Sequence, residues 1–368
     1  MSHELMRSIL FILTGIMLSL TALATQAGDT PDKRPPIKIL LDTDPGGDDV
    51  FALLWLQSLA KQGVAEIVAV TTVEGNVQSK YTFANASKIL TLGGFDAVEV
   101  GRSVPLKERK CKGAPHIHGA DGMGNLSQTL PKPPHNFDEA RRADDIIIEK
   151  LKTAPGEITL VAIGPLTNLA AAEEKSPGIL AKAKEVVIMG GAFHRRGNIT
   201  SHAEFNIYCN PDAAAKVFAS RDDIVVMPLD ITHQILFGKA QANAILAVAP
   251  QSELALFINQ LSEFMFKTAQ MFRATDGKIR FIVHDASTLA YLFYPETLQF
   301  RRAQVRVETQ GLYSTGQTLF DDRHGAKTGA NAWVALDVDE TNLLAILTED
   351  FKALVKKAPC RYKPESKL

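Results

Sequence analysis

The chain is poor in cysteine: Cys111, Cys209 and Cys360 are the only three in 368 residues. Three are too few for a disulfide scaffold, and no pair has metal-ligand spacing. One bridge plus one free thiol is open to them, and the sequence does not choose the pair. Excess charge is missing as well, because 40 Lys and Arg meet 41 Asp and Glu, a formal net charge of −1. That balance removes the electrostatic case for nucleic acid or an anionic membrane surface. Internal repeats, low-complexity segments and a strong interdomain linker are absent too. What remains, 46% hydrophobic and 22% charged residues, is the composition of a soluble globular protein long enough for an ample core.

The one long apolar run is N-terminal. After Arg7 the chain is uncharged from Ser8 to Gly28, rich in Leu, Ile and Met, with small residues near the end. It reads as an export signal over residues 1–27, with candidate cleavage sites at Ala22-Leu23-Ala24 and Thr25-Gln26-Ala27. The alternative is an uncleaved anchor, since about 20 apolar residues span a bilayer. No cysteine lies near the cleavage region, which argues against a lipid anchor. The expectation is an exported protein, periplasmic or secreted, with no stable membrane partner. A Pro-rich lead-in, 28–36, precedes one domain over 37–360.

Beyond Pro36 short apolar runs alternate with longer amphipathic ones. Strands are expected at Ile37–Asp42, Glu66–Val73, Ala97–Val100, Ile158–Ile163, Glu185–Met189 and Asp223–Pro228, with another over Ala303–Thr309. Helices are expected at Asp49–Lys61, Ser79–Leu92, Ala140–Thr153, Leu166–Lys175 and Pro211–Ser220. Gln241 to Phe281 reads as helical, and Gly311–Gly316 as a turn. Continuous Val/Ile/Leu strands separated by helices indicate a single α/β domain: a mainly parallel, Rossmann-like central sheet with helices on both faces. Ligands of such sheets bind beyond the carboxyl ends of the strands. The polar motifs lie where those ends should be.

The most informative motif is Asp42-Thr43-Asp44-Pro45-Gly46-Gly47-Asp48-Asp49, which joins the first strand to the first helix. Four carboxylates in one turn repel each other unless a cation or shared protons neutralise them. Their hard oxygens point to Ca²⁺ or Mg²⁺ rather than zinc. Pro-Gly-Gly lets the chain turn tightly, and the last two Asp fall where a helix start is capped. Surface acids on a capped turn are the plainer explanation, and the density of charge favours the metal.

Four further clusters stand out. Val73-Glu74-Gly75-Asn76 is a strand end running into a Gly-Asn turn, weak on its own. Gly164-Pro165-Leu166-Thr167-Asn168 joins a strand to a helix and equally suits a plain Pro-induced helix start. Gly197-Asn198 followed by Ala203-Glu204-Phe205-Asn206 is more specific. Asn offers donor and acceptor together and Glu accepts from hydroxyls, so the loop suits a polyhydroxylated ligand. His284-Asp285 follows apolar Phe281-Ile282-Val283, and alone is as well read as a structural pair. The Gly-rich stretch His118 to Asn125 reads as a flap over a site or as a flexible surface loop.

Together these stretches resemble the nucleoside hydrolase family, the inosine-uridine preferring ribohydrolases. The Asp-rich opening, Val73–Asn76, Gly164–Asn168, Gly197–Asn206 and His284-Asp285 recur there in the same order, over nearly all of the mature chain. The resemblance implies a single α/β domain and Ca²⁺-dependent hydrolysis of the ribonucleoside N-glycosidic bond, giving ribose and free base. It implies that Asp44 is the Ca²⁺-bound general base, that Asp49, Asp285 and the Ile163 carbonyl complete the metal ligands, and that Asp48 contacts a ribose hydroxyl. Asn76, Asn198, Glu204 and Asn206 then hold the attacking water or the ribose, with Phe205 among the substrate contacts. His284 protonates the leaving base and His118 lies near it. A homodimer or tetramer is implied, with a small-molecule ribonucleoside as the partner and no nucleic acid.

The chemistry fits the residue types. Cleavage passes through an oxocarbenium-like ribosyl cation, which acidic surroundings stabilise. Water attacks with Asp44 as base, inverting the anomeric carbon, while a near-neutral His284 supplies the base's proton. The aromatic residues of Phe264–Phe272 are expected near the base; Trp55 and Trp333 are not. Three departures from the family's usual pattern stand out. Gly47 replaces an aliphatic residue, with a looser turn as the expectation. Asn210-Pro211-Asp212 replaces Asp-Pro-Glu, expected to be a change of helix cap. Tyr313-Ser314-Thr315-Gly316 lacks a customary Arg. The rivals are an exported nucleoside-binding protein without catalysis, and a phosphatase built on Asp42-Thr43-Asp44. The second leaves Asn198, Glu204 and Asn206 unexplained.

Overall fold

Alternation of facing residues along the strands builds the molecule. In the first strand Ile39 and Leu41 enter one core with Phe51 and Trp55, while Leu40 enters a second core with Ile147 and Leu160. Side chains two apart share a face, so a strand that is apolar throughout must be covered on both sides. The computed structural model describes residues 35–106, 110–272, 274–275 and 277–357, the side chains at 326 and 327 excepted. The expected export signal, most of the expected lead-in and Cys360 lie outside the described residues. No helix among the described residues is long and apolar enough to cross a membrane.

In chain order, β1 (Ile37–Thr43), α1 (Gly47–Gln62), β2 (Ala65–Thr72), α2 (Ser79–Gly93) and the two-residue β3 (Val100–Gly101) come first. Next are α3 (Pro115–His118), α4 (Ala143–Thr153), β4 (Ile158–Ala162), α5 (Thr167–Lys175), β5 (Glu185–Met189), α6 (Phe205–Cys209), α7 (Pro211–Ser220) and β6 (Ile224–Met227). Then follow α8 (Leu229–Thr232), β7 (Leu236–Gly238), α9 (Lys239–Val248), α10 (Glu253–Met271), β8 (Arg280–Ile282) and α11 (Ala286–Phe293). The described chain closes with β9 (Leu298–Val307), β10 (Thr318–Asp321), β11 (Ala332–Val338) and α12 (Glu340–Lys357).

Nine strands form one sheet in the order β10-β9-β11-β6-β5-β4-β1-β2-β3. From β3 to β11 every neighbouring pair is parallel, and β9 and β10 add an antiparallel edge. The chain moves outward from β1 to β2 and β3, then returns to the other side of β1 with β4, β5 and β6. That reversal opens a crevice at the carboxyl ends of β1 and β4, where ligands of doubly wound sheets bind.

The expected helix over 241–281 is two helices and a strand. Pro250 lacks the amide a continuous helix needs, and Ser252 restarts the chain as the cap of α10 by accepting from Ala255 N–H at 3.4 Å. Phe281 lies in β8, which pairs with β7 in a separate two-stranded sheet. At the start of α1 every residue from Gly47 to Leu59 is buried, as an all-round apolar helix must be. Trp55 sits wholly in this core, donating to Asp350 at 2.7 Å and stacking on Tyr294. Trp333 lies half-exposed on β11. Asn210 does cap α7, accepting from Ala213 N–H at 3.1 Å.

Candidate active site

Four strand ends deliver the site. The turn after β1 brings Asp44, Asp48 and Asp49; the turn after β2 brings Asn76; β4 ends at the Ile163 carbonyl; the loop after β5 leads to α6. Asp49 is locked in place: Oδ1 accepts from Thr43 Oγ1 at 2.6 Å and from Asp44 N–H at 3.1 Å. Its Oδ2 accepts from Gly46 N–H at 3.0 Å and from the Asn76 amide at 3.1 Å. Asp44 Oδ2 accepts from Asn76 N–H at 2.7 Å, whereas Oδ1 is buried without a hydrogen-bond partner. Glycine is needed at 164, since a Cβ there would stand 2.4 Å from that free oxygen.

Asp48, Asp49 and Asp285 each offer an oxygen within 4.8 Å of the others, and all three are buried. Burial, then the Asp49 charge, pushes Asp48 up to about 8. Asp44 and Asp285 are driven well above the ordinary carboxylate range, first by burial and then by the neighbouring carboxylates. Asp49 moves up by burial, against the hydrogen bonds it accepts. Anions so placed call for positive charge. The donors are oxygens only, one of them orphaned and buried, and they fit a hard divalent cation. Asp44 does not line the cavity itself.

The cavity above this floor has a volume of about 490 Å³. One wall is α6 and its approach. Glu204 caps α6, accepting from Asn206 N–H at 2.8 Å and from Gly191 and Ile207 N–H at 3.1 Å each. Burial raises its carboxyl despite those bonds. Asn206 donates to the Ile163 and Met189 carbonyls at 3.0 and 3.2 Å. Asn198 accepts from Phe205 N–H at 2.8 Å, tying the loop to the helix. The rest of the lining includes His116, Ile117 and His118, with Met265, Thr268, Ala269 and Phe272 from α10 and its end, and His233 and His284.

The sequence profile described as "Inosine-uridine preferring nucleoside hydrolase" matches residues 39–345. The chain belongs to this family. It is therefore a hydrolase of the ribonucleoside N-glycosidic bond. A probable uridine nucleosidase 1 of Oryza sativa is 35% identical over 326 residues, 85% of this chain and 95% of its own. An inosine-uridine preferring nucleoside hydrolase of Leishmania major is 36% identical over 307 residues, 83% and 94% of the two chains. Among solved structures, a plant nucleoside hydrolase superposes with a TM-score of 0.76 at 32% identity, covering 87% of this chain and all of its own. A purine-preferring ribonucleoside hydrolase from Gardnerella vaginalis gives 0.79 at 27% identity over the same shares.

Every site residue expected of a nucleoside hydrolase converges here: Asp48, Asp49, Asn76, His118, Ile163, Asn198, Glu204, Phe205, Asn206, His284 and Asp285 line the cavity, with Asp44 behind them. Three details differ from expectation. Asp48 joins Asp49 and Asp285 in the carboxylate cluster, beyond a sugar contact. His284 is not near neutral: burial, then His233 and His118, holds it well below the usual histidine range. Its Nδ1 pairs with Thr232 Oγ1 at 2.7 Å. His118 is likewise pushed down to about 4 by burial and His116. Because its Nδ1 accepts from Gly47 N–H at 2.9 Å, its approach to Asp48 at 3.9 Å is a contact of a neutral ring and not an ion pair.

The base-side reading of Phe264–Phe272 needs correction. Phe266 is in the core and Phe264 packs beside Gly124, leaving only Phe272 on the cavity. Helical spacing explains it: 265, 268, 269 and 272 share the face that looks inward. Gly47 does not loosen its turn, since Met265 occupies the room its side chain would take. The stretch after His118 is a tied turn, with Asp121 accepting from Met123, Asn125 and Ser127 N–H at 2.8 Å each. Asn168 is structural, donating to Asp42 at 2.7 Å and to Thr72 O at 2.9 Å. Tyr313 stands 86% exposed, and nothing in the structure explains the missing Arg beside it.

Proposed function

We propose that the protein hydrolyses ribonucleosides with Ca²⁺ as its cation, giving ribose and free base with inversion at the anomeric carbon. One observation carries the reading. Asp44 has one oxygen anchored by Asn76 and the other buried, unpartnered, beside three clustered carboxylates. A nucleoside-binding protein has no use for such a base.

Asp48, Asp49 and Asp285, with Asp44 and the Ile163 carbonyl, are the groups that would hold Ca²⁺; bound there, it supplies charge that polarises water and grips ribose hydroxyls. The remaining work falls to side chains. Asp44 Oδ1 takes a proton from water as the water oxygen bonds to the anomeric carbon. The C–N electron pair departs with the base, which takes a proton from the imidazolium form of His284 and leaves the ring neutral, the form its burial favours. Nδ1 is paired with Thr232 Oγ1 at 2.7 Å, which leaves Nε2 to carry that proton. Asn76, Asn198, Glu204 and Asn206 orient the ribose and the water, and the buried carboxylates favour the positive charge that grows on the sugar. His118 and Phe205 flank the base.

We also place the protein outside the cytoplasm, as a homo-oligomer. The N-terminal apolar run supports export, and so does the disulfide between Cys111 and Cys209, a bond that persists in oxidising compartments. The test is nucleobase release from inosine, uridine, cytidine, adenosine and guanosine, with Ca²⁺ and after chelation. Release that stops on chelation and returns with Ca²⁺ supports the reading. No release from any nucleoside by folded, Ca²⁺-loaded protein overturns it in favour of a binding protein.

A further inference from the structure

The Cys111–Cys209 disulfide, itself outside the cavity lining, joins two segments that contribute to that lining, 113–118 and α6, across 98 residues of sequence. We propose that these cysteines are a positioning pair: the bridge holds the Cys111–His118 segment against α6, so that the base end of the site is formed before substrate arrives. The proposal rests on the nucleoside-hydrolase reading above.

The two walls are anchored along different stretches. Cys209 ends α6, and α6 is fixed without it: Glu204 takes three backbone N–H groups, and Asn206 donates to two strand-end carbonyls. The other wall is held from Ala114 onward. Gly113, Ala114, His116, Ile117 and His118 all line the cavity. Their ties to the rest of the protein are Ala114 N–H to the Asn76 carbonyl at 2.8 Å, Gly47 N–H to His118 Nδ1 at 2.9 Å, and Gly124 N–H to the His118 carbonyl at 2.7 Å. Among the described residues, the segment from Lys110 to Gly113 is held by the bridge, whose two cysteines are both buried with Cα atoms 4.8 Å apart, and by Lys110 Nζ donating to the Thr309 carbonyl at 3.5 Å. His116 meanwhile is exposed and rests edge-on against Phe272. The bridge is thus the upstream anchor of a wall that carries two cavity histidines, with α6 as the fixed post. Releasing it leaves the carboxylate floor and α6 in place and frees the wall that faces the base.

Loss of the bridge should therefore cost substrate binding more than turnover. If the closed wall is populated about one-tenth of the time without the bridge, apparent affinity falls about tenfold. The experiment compares wild type, Cys111→Ser, Cys209→Ser and the double variant, well below their unfolding temperatures. Wild type is also treated with dithiothreitol, which passes two electrons and two protons to the bridge and closes to its own cyclic disulfide, and is then reoxidised. The expected result is a KM about tenfold higher with kcat within about twofold, reversed on reoxidation. Amide exchange should quicken over 112–118 and stay unchanged over α6. An unchanged KM with only a lower Tm would make the bridge a plain staple and overturn the proposal. So would peptide mapping that pairs either cysteine with Cys360. A wild type that releases no base fails the hydrolase reading, and the exchange of 112–118 then decides the bridge's role separately.

Discussion

Isoleucine at position 47 should destabilise the protein, and shortening Met265 should recover much of the loss. A Cβ built on Gly47 would lie 2.5 Å from Met265 Sδ, 2.9 Å from Cε and 3.0 Å from Cγ. Each is well inside van der Waals contact, and Met265 is only 5% exposed, so it must leave its rotamer or α1 must shift. Overpacking of this kind costs about 1–3 kcal/mol, and the flexible thioether places Gly47→Ile near 2 within that range. Met265→Ala alone should cost about 2 kcal/mol, the low end for a buried methionine, because the cavity side lets water enter the gap. If both side chains compete for one space, the double variant loses about 1–2 kcal/mol where additivity gives about 4, a coupling of about 2–3. Urea unfolding of the four proteins, compared at equal m-values, reads this directly. Losses that add within about 0.5 kcal/mol would refute the shared-space argument.

Three further outcomes follow from the same geometry. Burial raises Asp48 and Asp42 to about 8 and about 7, from an ordinary 3.8, so the folded state keeps protons that the unfolded chain has lost, and stability falls as pH rises through that window. Metal-free protein should melt higher at about pH 6 than at about pH 8, with Ca²⁺ narrowing the gap; the opposite order in chelator would contradict the reading. Asp285→Asn removes one of the crowded charges, so it should raise the Tm in chelator while abolishing the rise that Ca²⁺ produces in wild type. Asn168→Ala strips Asp42, the Thr72 carbonyl and Val104 N–H of partners bonded at 2.7, 2.9 and 3.0 Å. Denaturant unfolding should show a loss of about 3 kcal/mol, with kcat at low temperature unchanged.

Much of this was legible because the parallel strands are continuous apolar runs. Ile158–Ala162 and Glu185–Met189 can be read from composition alone, and their ends position the Asp, Asn and Glu clusters. The antiparallel edge was harder. Leu298–Val307 alternates buried and exposed residues and carries Arg301, Arg302 and Arg306, so its hydrophobic signal is diluted and only its second half stands out. β7 and β8 are three residues each, too short for a period to show. The face of α10 is hard to read because its apolar pattern includes Phe264 and Phe266 as well, whereas the inward face is set by Met265, Thr268 and Ala269. The cysteine pairing had no local signature at all, since 98 residues separate the partners. Nor could the turn alone say that Asp48 would join the carboxylate cluster, because Asp285 arrives there from the far side of the chain.

On the function proposed above, Asp44 is a base and not merely part of a nucleoside cradle. Asp44→Asn keeps the size of the side chain and its acceptor for Asn76 N–H, and removes the carboxylate. Calorimetry and base release, measured together on Ca²⁺-loaded variant and wild type, separate binding from chemistry. Nucleoside affinity should stay within about tenfold of wild type, with base release lower by about 10²–10⁴-fold. Base release within about tenfold of wild type would contradict it.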